Sequence, residues 1–255
     1  MPLLENYQLV GDNVALERAG LFVAEGRLVV ERLLEDSRYR IHSVLLTPTA
    51  ADAMRGTLER RPDVEVIVSA RETIETVTGF DFHRGCLALA YRERAEISFE
   101  DLVTYARLLA IEGVGNPDNI GGLFRSALAL GVDAVLLDAT AGDPLYRKAT
   151  RTSMAATLRL PYSREVDLTA TLARLRTRGF RVVALTPHSS ATPIDELELN
   201  PGAGVVVCVG SEGDGLSASA FAQADLRVRI PVDPRADSLN VVAAASIALH
   251  ALRTR

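Results

Sequence analysis

The stretch NPDNIGGLFRSALALG, Asn116 to Gly131, opens on turn-forming and capping residues, passes through paired glycines and continues as an apolar helix with one arginine. Asn119 has the residue type that caps a first helical turn, so a helix is expected to begin near it. Gly121 and Gly122 leave that turn bare for another backbone or a ligand. Arg125 follows within two turns, and at roughly 100° per residue it is expected to point toward the same mouth. Two more loops share this character. GSEGDGLS, Gly210 to Ser217, follows the apolar run GVVVCV, and IPVDPRADSLN, Ile230 to Asn240, follows DLRVR. In the latter, Ser238 is the expected cap of a final helix, VVAAASIALHAL, whose small and β-branched residues allow tight packing.

Glycine-rich loops raise the question of nucleotide phosphates. Gly113 and Gly115 satisfy the first two positions of a GxGxxG fingerprint, but the third falls on Asp118. No GxxxxGK[ST] exists, because the sole lysine, Lys148, lies elsewhere. A Rossmann dehydrogenase and a P-loop NTPase are therefore disfavoured. His42, His83, His188 and His250 are scattered without metal-ligand spacing, so no metal site is expected. Cys86 and Cys208 sit inside GCLALAY and VVVCVG and read as small buried hydrophobes of a reducing compartment.

The elements that position these loops follow from periodicity. In the first part LFVAEG, IHSVLLTP, DVEVIVS and RGCLALAY read as strands. Between them RLVVERLLEDS reads as a helix with Leu28, Val29, Leu33 and Leu34 on its apolar face, and AADAMRGTLERR and ARETIETVTG read as further helices. RERAEISFEDL, Arg92 to Leu102, is charged and holds a helix-start signal at Ser98, which sets a domain boundary near residue 97. Beyond it RLLAIEGV, DAVLLD, TLRLPYSREV, FRVVALTP, GVVVCVGSE and LRVRIPV read as strands. RKATRTSMAA and LTATLARLRTRG read as helices. Strands alternating with helices argue an α/β fold with a mostly parallel sheet, whose ligands sit beyond the carboxyl ends of the strands. All three loops leave strands at such ends.

Formal net charge is −5 and the charged fraction 24%, so nothing global advertises a polyanionic partner, although a local basic surface can exist on an acidic protein. The N-terminus lacks a basic segment followed by an apolar one, and no apolar run is long enough to span a bilayer. No membrane association is expected, and a cytoplasmic location is.

NPDNIGGLFRSA, GSEGDGLS and IPVDPRADSLNVVAAASIAL, in that order and spacing, resemble the SpoU (TrmH-type) branch of the SPOUT RNA methyltransferases. RKATRTSMAA is also similar to that family's intermediate segment, except that Ala155 stands where a glycine is expected. The resemblance covers residue 106 to the C-terminus. It implies a methyltransferase domain over residues 98–255 whose C-terminal segment is threaded as a trefoil knot, a homodimer, and S-adenosylmethionine as cofactor with no metal. Gly210, Ile230 and Leu239 are implied to border the cofactor, and Asn119, Arg125, Glu212, Ser238 and Asn240 to form the catalytic set. Residues 1–97 more weakly resemble a ribosomal-protein-like (L30e/L7Ae-type) RNA-binding domain, through the α/β alternation and FDFHRGCLALAY.

The implied reaction is methyl transfer to a ribose 2′-hydroxyl. The family's usual assignment of its arginine as the base is physically awkward, since a guanidinium stays protonated and has no acceptor lone pair. Arg125 is better read as orienting the substrate and stabilising developing negative charge. Arg84, Lys148 and Arg151, and further Arg159 and Arg164, are expected to meet RNA phosphates. The appended domain suggests structured 23S rRNA by analogy. A tRNA enzyme, an antibiotic-resistance rRNA methyltransferase and a non-catalytic RNA-binding adaptor are the alternatives.

Overall fold

The computed structural model describes residues 2–36, 38–92, 97–197 and 204–252. Residues 93–96, within the expected linker, lie outside that set. The chain divides into two units, one of Met1–Ala95 with Pro144–Arg159, the other of Glu96–Asp143 with Leu160–Arg255. A stretch inside the second expected domain thus packs with the first unit, because the helix Arg147–Thr152 lies on the first unit's sheet.

In the first unit, strands β1 (Leu21–Glu25), β2 (Ile41–Leu46), β3 (Glu65–Val68) and β4 (Cys86–Tyr91) form a sheet of order β1-β4-β2-β3. β4 is antiparallel to both neighbours and β2 is parallel to β3. The helix after β1 spans Arg27–Glu35 and buries Val29, Val30, Leu33 and Leu34. Leu28, expected on that face, is 39% exposed, so the apolar stripe is shifted by one position. The expected single helix over AADAMRGTLERR is two, Pro48–Ala53 and Arg55–Glu59, broken at Met54. The helical N-terminus, which periodicity did not reveal, contributes Tyr7, Val10 and Leu16 to a core with Phe82, Leu87 and Leu89.

The second unit is built on seven strands. They are β5 (Arg107–Ile111), β6 (Ala134–Asp138), β7 (Tyr162–Glu165), β8 (Arg181–Leu185), β9 (Thr192–Pro193), β10 (Val205–Val209) and β11 (Leu226–Arg229). Their order is β7-β6-β5-β10-β8-β11-β9, and every pairing is parallel. β10 is buried throughout, as both sheet faces are covered. Parallel pairing brings the carboxyl ends of β5, β8, β10 and β11 to one edge, which is what the site requires. The strand expected over TLRLPYSREV is shorter, because its first residues form the helix Ala156–Arg159.

Two left-handed residues precede that short helix: Met154 at φ 53° and Ala155 at φ 69°. This is where a glycine was expected, and the turn is made with a buried alanine instead.

The helices Pro117–Ala129 and Val241–Ala251 pack directly on each other. A Cβ on Gly122 would lie 2.8 Å from Val242 Cγ2 and 3.0 Å from its Cγ1, so the bare glycine sets their approach. Ser246 Oγ donates to Ser126 Oγ at 2.8 Å one turn further on. Overpacking this contact should destabilise Gly122→Ala by about 1–3 kcal/mol. Val242→Ala in the same chain removes the obstructing methyls and should restore most of the melting temperature.

Candidate active site

The helix Pro117–Ala129 begins earlier than expected. Asn116, not Asn119, is its cap, accepting the Asp118 N–H at 2.9 Å, and Pro117 occupies the first turn, where its missing N–H costs nothing. Asn119 is therefore inside the helix and 8% exposed. The last helix is likewise capped by Asn240 rather than Ser238, through the Val242 N–H at 3.0 Å.

Both corrections bring the same two amides together. Asn240 Nδ2 donates to Asn119 Oδ1 at 3.2 Å and to Glu212 Oε1 at 2.6 Å. One side chain thus joins all three loops while its carbonyl oxygen caps a helix. A second tie lies beside it. The Glu112 carboxylate, at the end of β5, accepts the Ser217 N–H at 2.8 Å and the Ser217 hydroxyl at 2.7 Å. The loop after β10 is itself a tight turn, with an isolated bridge between Ser211 and Gly215. A Cβ on Gly210 would lie 2.0 Å from Gly215 C and 2.3 Å from Leu216 N, so only glycine fits there.

These loops enclose a cavity of about 380 Å³. Gly210, Glu212, Ile230, Ser238 and Leu239 line it, as do apolar side chains of Leu185, Val209, Phe221 and Val232. Two carboxylates, Glu212 and Asp214, are in the lining, and no Lys or Arg is. Cys208, one residue inside β10, is buried, and burial pushes its thiol pKa up, so the thiol stays protonated.

The SpoU rRNA methylase family model matches residues 106–250. The chain belongs to the SpoU rRNA methylase family. An uncharacterized tRNA/rRNA methyltransferase of Mycobacterium tuberculosis strain H37Rv is 39% identical over 237 residues, spanning 92% of this chain and 81% of the relative. Among solved structures, the SpoU methyltransferase AviRb from Streptomyces viridochromogenes, in complex with AdoMet, superposes with a TM-score of 0.81 at 21% identity, covering 97% of this chain and 96% of that one. An RNA 2′-O ribose methyltransferase superposes at 0.77 with 24% identity, covering 98% and 94%. The α/β fold with its seven-stranded parallel sheet is thus that of the SPOUT methyltransferases, and the chain is an RNA methyltransferase of the SpoU family.

Of the residues that the SpoU resemblance singled out, Asn119 and Glu212 both accept a hydrogen bond from Asn240. Gly210, Ile230, Ser238 and Leu239 line the cavity beside them. Arg125 is on the exposed face of its helix, away from the buried face that holds Asn119, and does not line the cavity. The expectation of a shared mouth overlooked that six residues turn a helix by roughly 240° relative to a starting side chain. Arg125 has no hydrogen-bond or ion-pair partner among the described residues, so its guanidinium is available to a substrate.

The basic residues divide differently from the expectation. Arg164 donates to the carbonyls of Asp138, Ala141 and Gly142 and holds a loop rather than facing solvent. Arg159 is paired to Asp36 at 2.6 Å. Arg84 and Arg151 both approach Glu25, and Lys148 is exposed. Sequence reasoning missed Thr186, Pro187 and His188, which line the cavity from the loop after β8. Only their position at a fourth strand end could have revealed them.

Proposed function

We propose that this chain transfers the methyl group of S-adenosylmethionine to a ribose 2′-hydroxyl of structured RNA, 23S rRNA before tRNA. The observation that carries the reading is the Asn119–Asn240–Glu212 chain, which joins three separate loops beside a cavity lined by two carboxylates, with no Lys or Arg in the lining. That lining suits a cationic ligand and opposes a nucleotide phosphate, which would face Glu212 and Asp214 without a Lys or Arg to neutralise it. Its volume lies in the range of small-molecule sites. Gly210, Ile230 and Leu239 would hold the cofactor, which supplies an activated methyl group when bound.

The remaining work falls to the protein. Asn240 and Asn119 hold the two loops in register, and Glu212 anchors the third. Ser238, at the cavity wall, is placed to orient the acceptor. Arg125, exposed on its helix and outside the cavity lining, is assigned to an RNA phosphate, whose paired oxygens its planar fork suits. Arg125→Lys should keep S-adenosylmethionine affinity within about twofold while single-turnover methylation falls roughly tenfold or more. A near-normal rate would remove the bidentate role.

The homodimer is proposed on the family resemblance, with Ile247 an exposed apolar side chain on the last helix. We take the first unit to be the RNA-binding domain and the location to be cytoplasmic. No helix among the described residues is long and apolar enough to cross a membrane. The experiment for the substrate is a map of ribose methylation across total RNA with and without the gene. Loss of one rRNA position is expected. An unchanged rRNA map with a lost tRNA position would make it a tRNA enzyme. Calorimetry showing no S-adenosylmethionine binding would favour an adaptor.

A further inference from the structure

Glu25 ends β1 and is 6% exposed, yet it is an ionisable side chain with no role in the site above. Three guanidiniums surround it: Arg151 Nη1 at 3.4 Å, Arg84 Nε at 3.7 Å and Arg147 Nε at 3.7 Å. Only the Arg151 contact has hydrogen-bond geometry. The three arginines come from two distant stretches of sequence. Arg84 arrives beside Gly26, where a Cβ would press on its Cδ at 3.4 Å, and the other two come from the helix Arg147–Thr152.

One carboxylate needs one cation. Three leave an excess of two positive charges, held in place by a buried anion, and none of the three pairs with another carboxylate among the described residues. Roughly fifteen N–H donors face about four carboxylate lone-pair positions, so most lack a protein acceptor. Arg147 Nη1 is buried with no hydrogen-bond partner, and its guanidinium is stacked over the Phe80 ring at 4.4 Å, which fixes its plane. Arg84 and Arg151 keep 51% and 36% of their side chains exposed, so the cluster is open to a ligand.

We propose that Arg84, Arg147 and Arg151 form a phosphate subsite that grips one backbone phosphodiester of the RNA, with Glu25 as the positioning residue that spaces the three forks. Planar guanidiniums suit the paired oxygens of a phosphodiester, and their charge survives at any physiological pH. The proposal rests on the RNA-methyltransferase reading and adds to it a contact made by the first unit. Arg147 is the new member, and Lys148, its exposed neighbour, is not required.

The test uses the full chain, a fluorescein-labelled RNA hairpin and anisotropy titrations over a series of salt concentrations, with calorimetry of S-adenosylmethionine on the same samples. A phosphate contact is independent of base sequence, so a generic hairpin suffices. Arg147→Gln and Arg84→Gln should each weaken hairpin binding about three- to tenfold and lower the salt slope by roughly one, with cofactor affinity unchanged. Arg151→Lys should preserve the salt slope while losing affinity, which a merely structural role would not produce. Unchanged affinity and slope in folded variants would overturn the subsite and leave the methylase reading intact. Tighter binding of a poly-glutamate peptide than of the hairpin would also overturn it. Hairpin binding that depends on these arginines in a protein that methylates no RNA would keep the subsite and refute the enzyme.

Discussion

Gly210→Ala is expected to abolish measurable S-adenosylmethionine binding. The added methyl would sit 2.0 Å from the Gly215 carbonyl carbon and 2.2 Å from its oxygen, both backbone atoms of a closed turn that cannot swing aside. The turn must open, and Glu212, Asp214 and Leu216 move with it, although all three line the cavity. Overpacking against a backbone costs about 3 kcal/mol or more, which corresponds to at least roughly a hundredfold in affinity. Calorimetry checks this, with a cooperative thermal melt confirming that the sheet beneath is intact. Affinity within threefold of wild type would mean that this loop does not form the cofactor wall.

Asn240→Ala should have the second-largest effect, because one side chain does three things. It caps the final helix, worth about 1 kcal/mol. Its amide satisfies the buried Asn119 carbonyl, and an orphaned buried acceptor costs about 1–3 kcal/mol. It also holds Glu212 at the cavity. Single-turnover methylation should fall about a hundredfold, with melting lowered by several degrees. Asn119→Ala in the same chain should add little further loss, since its partner is already gone. Full additivity of the two substitutions would show that the hydrogen bond between them carries no weight.

The convergence of the three loops was legible because it is written in residue types with few alternative uses. Paired glycines, Asn and Ser at strand ends, and apolar runs buried on both faces all restrict the local geometry. Which amide caps and which pairs was not legible. Asn116, Asn119 and Asn240 are chemically equivalent in a sequence, and only helix phase separates a capping position from a buried one. Phase also explains Arg125: six residues after Asn119 the helix has turned by roughly 240°, which puts the two side chains on different faces of Pro117–Ala129.

Other features were hidden because they depend on contacts between distant segments. Nothing in Leu185–His188 marks it as a binding loop until β8 is seen next to β10 in the sheet. Likewise Arg147 looks like any helical arginine until its helix is placed on β1, where Glu25 waits. The break between Arg147–Thr152 and Ala156–Arg159 was obscured for another reason. It is made by Met154 and Ala155 in left-handed conformations that glycine normally supplies.

The most direct measurement of the central claim is nucleoside analysis by mass spectrometry after the purified protein has acted on unmodified ribosomal RNA with isotopically labelled S-adenosylmethionine. Label is expected in a single 2′-O-methylribose nucleoside, and is lost in Gly210→Ala and Asn240→Ala. Label on a base, or label that survives both substitutions, would contradict it.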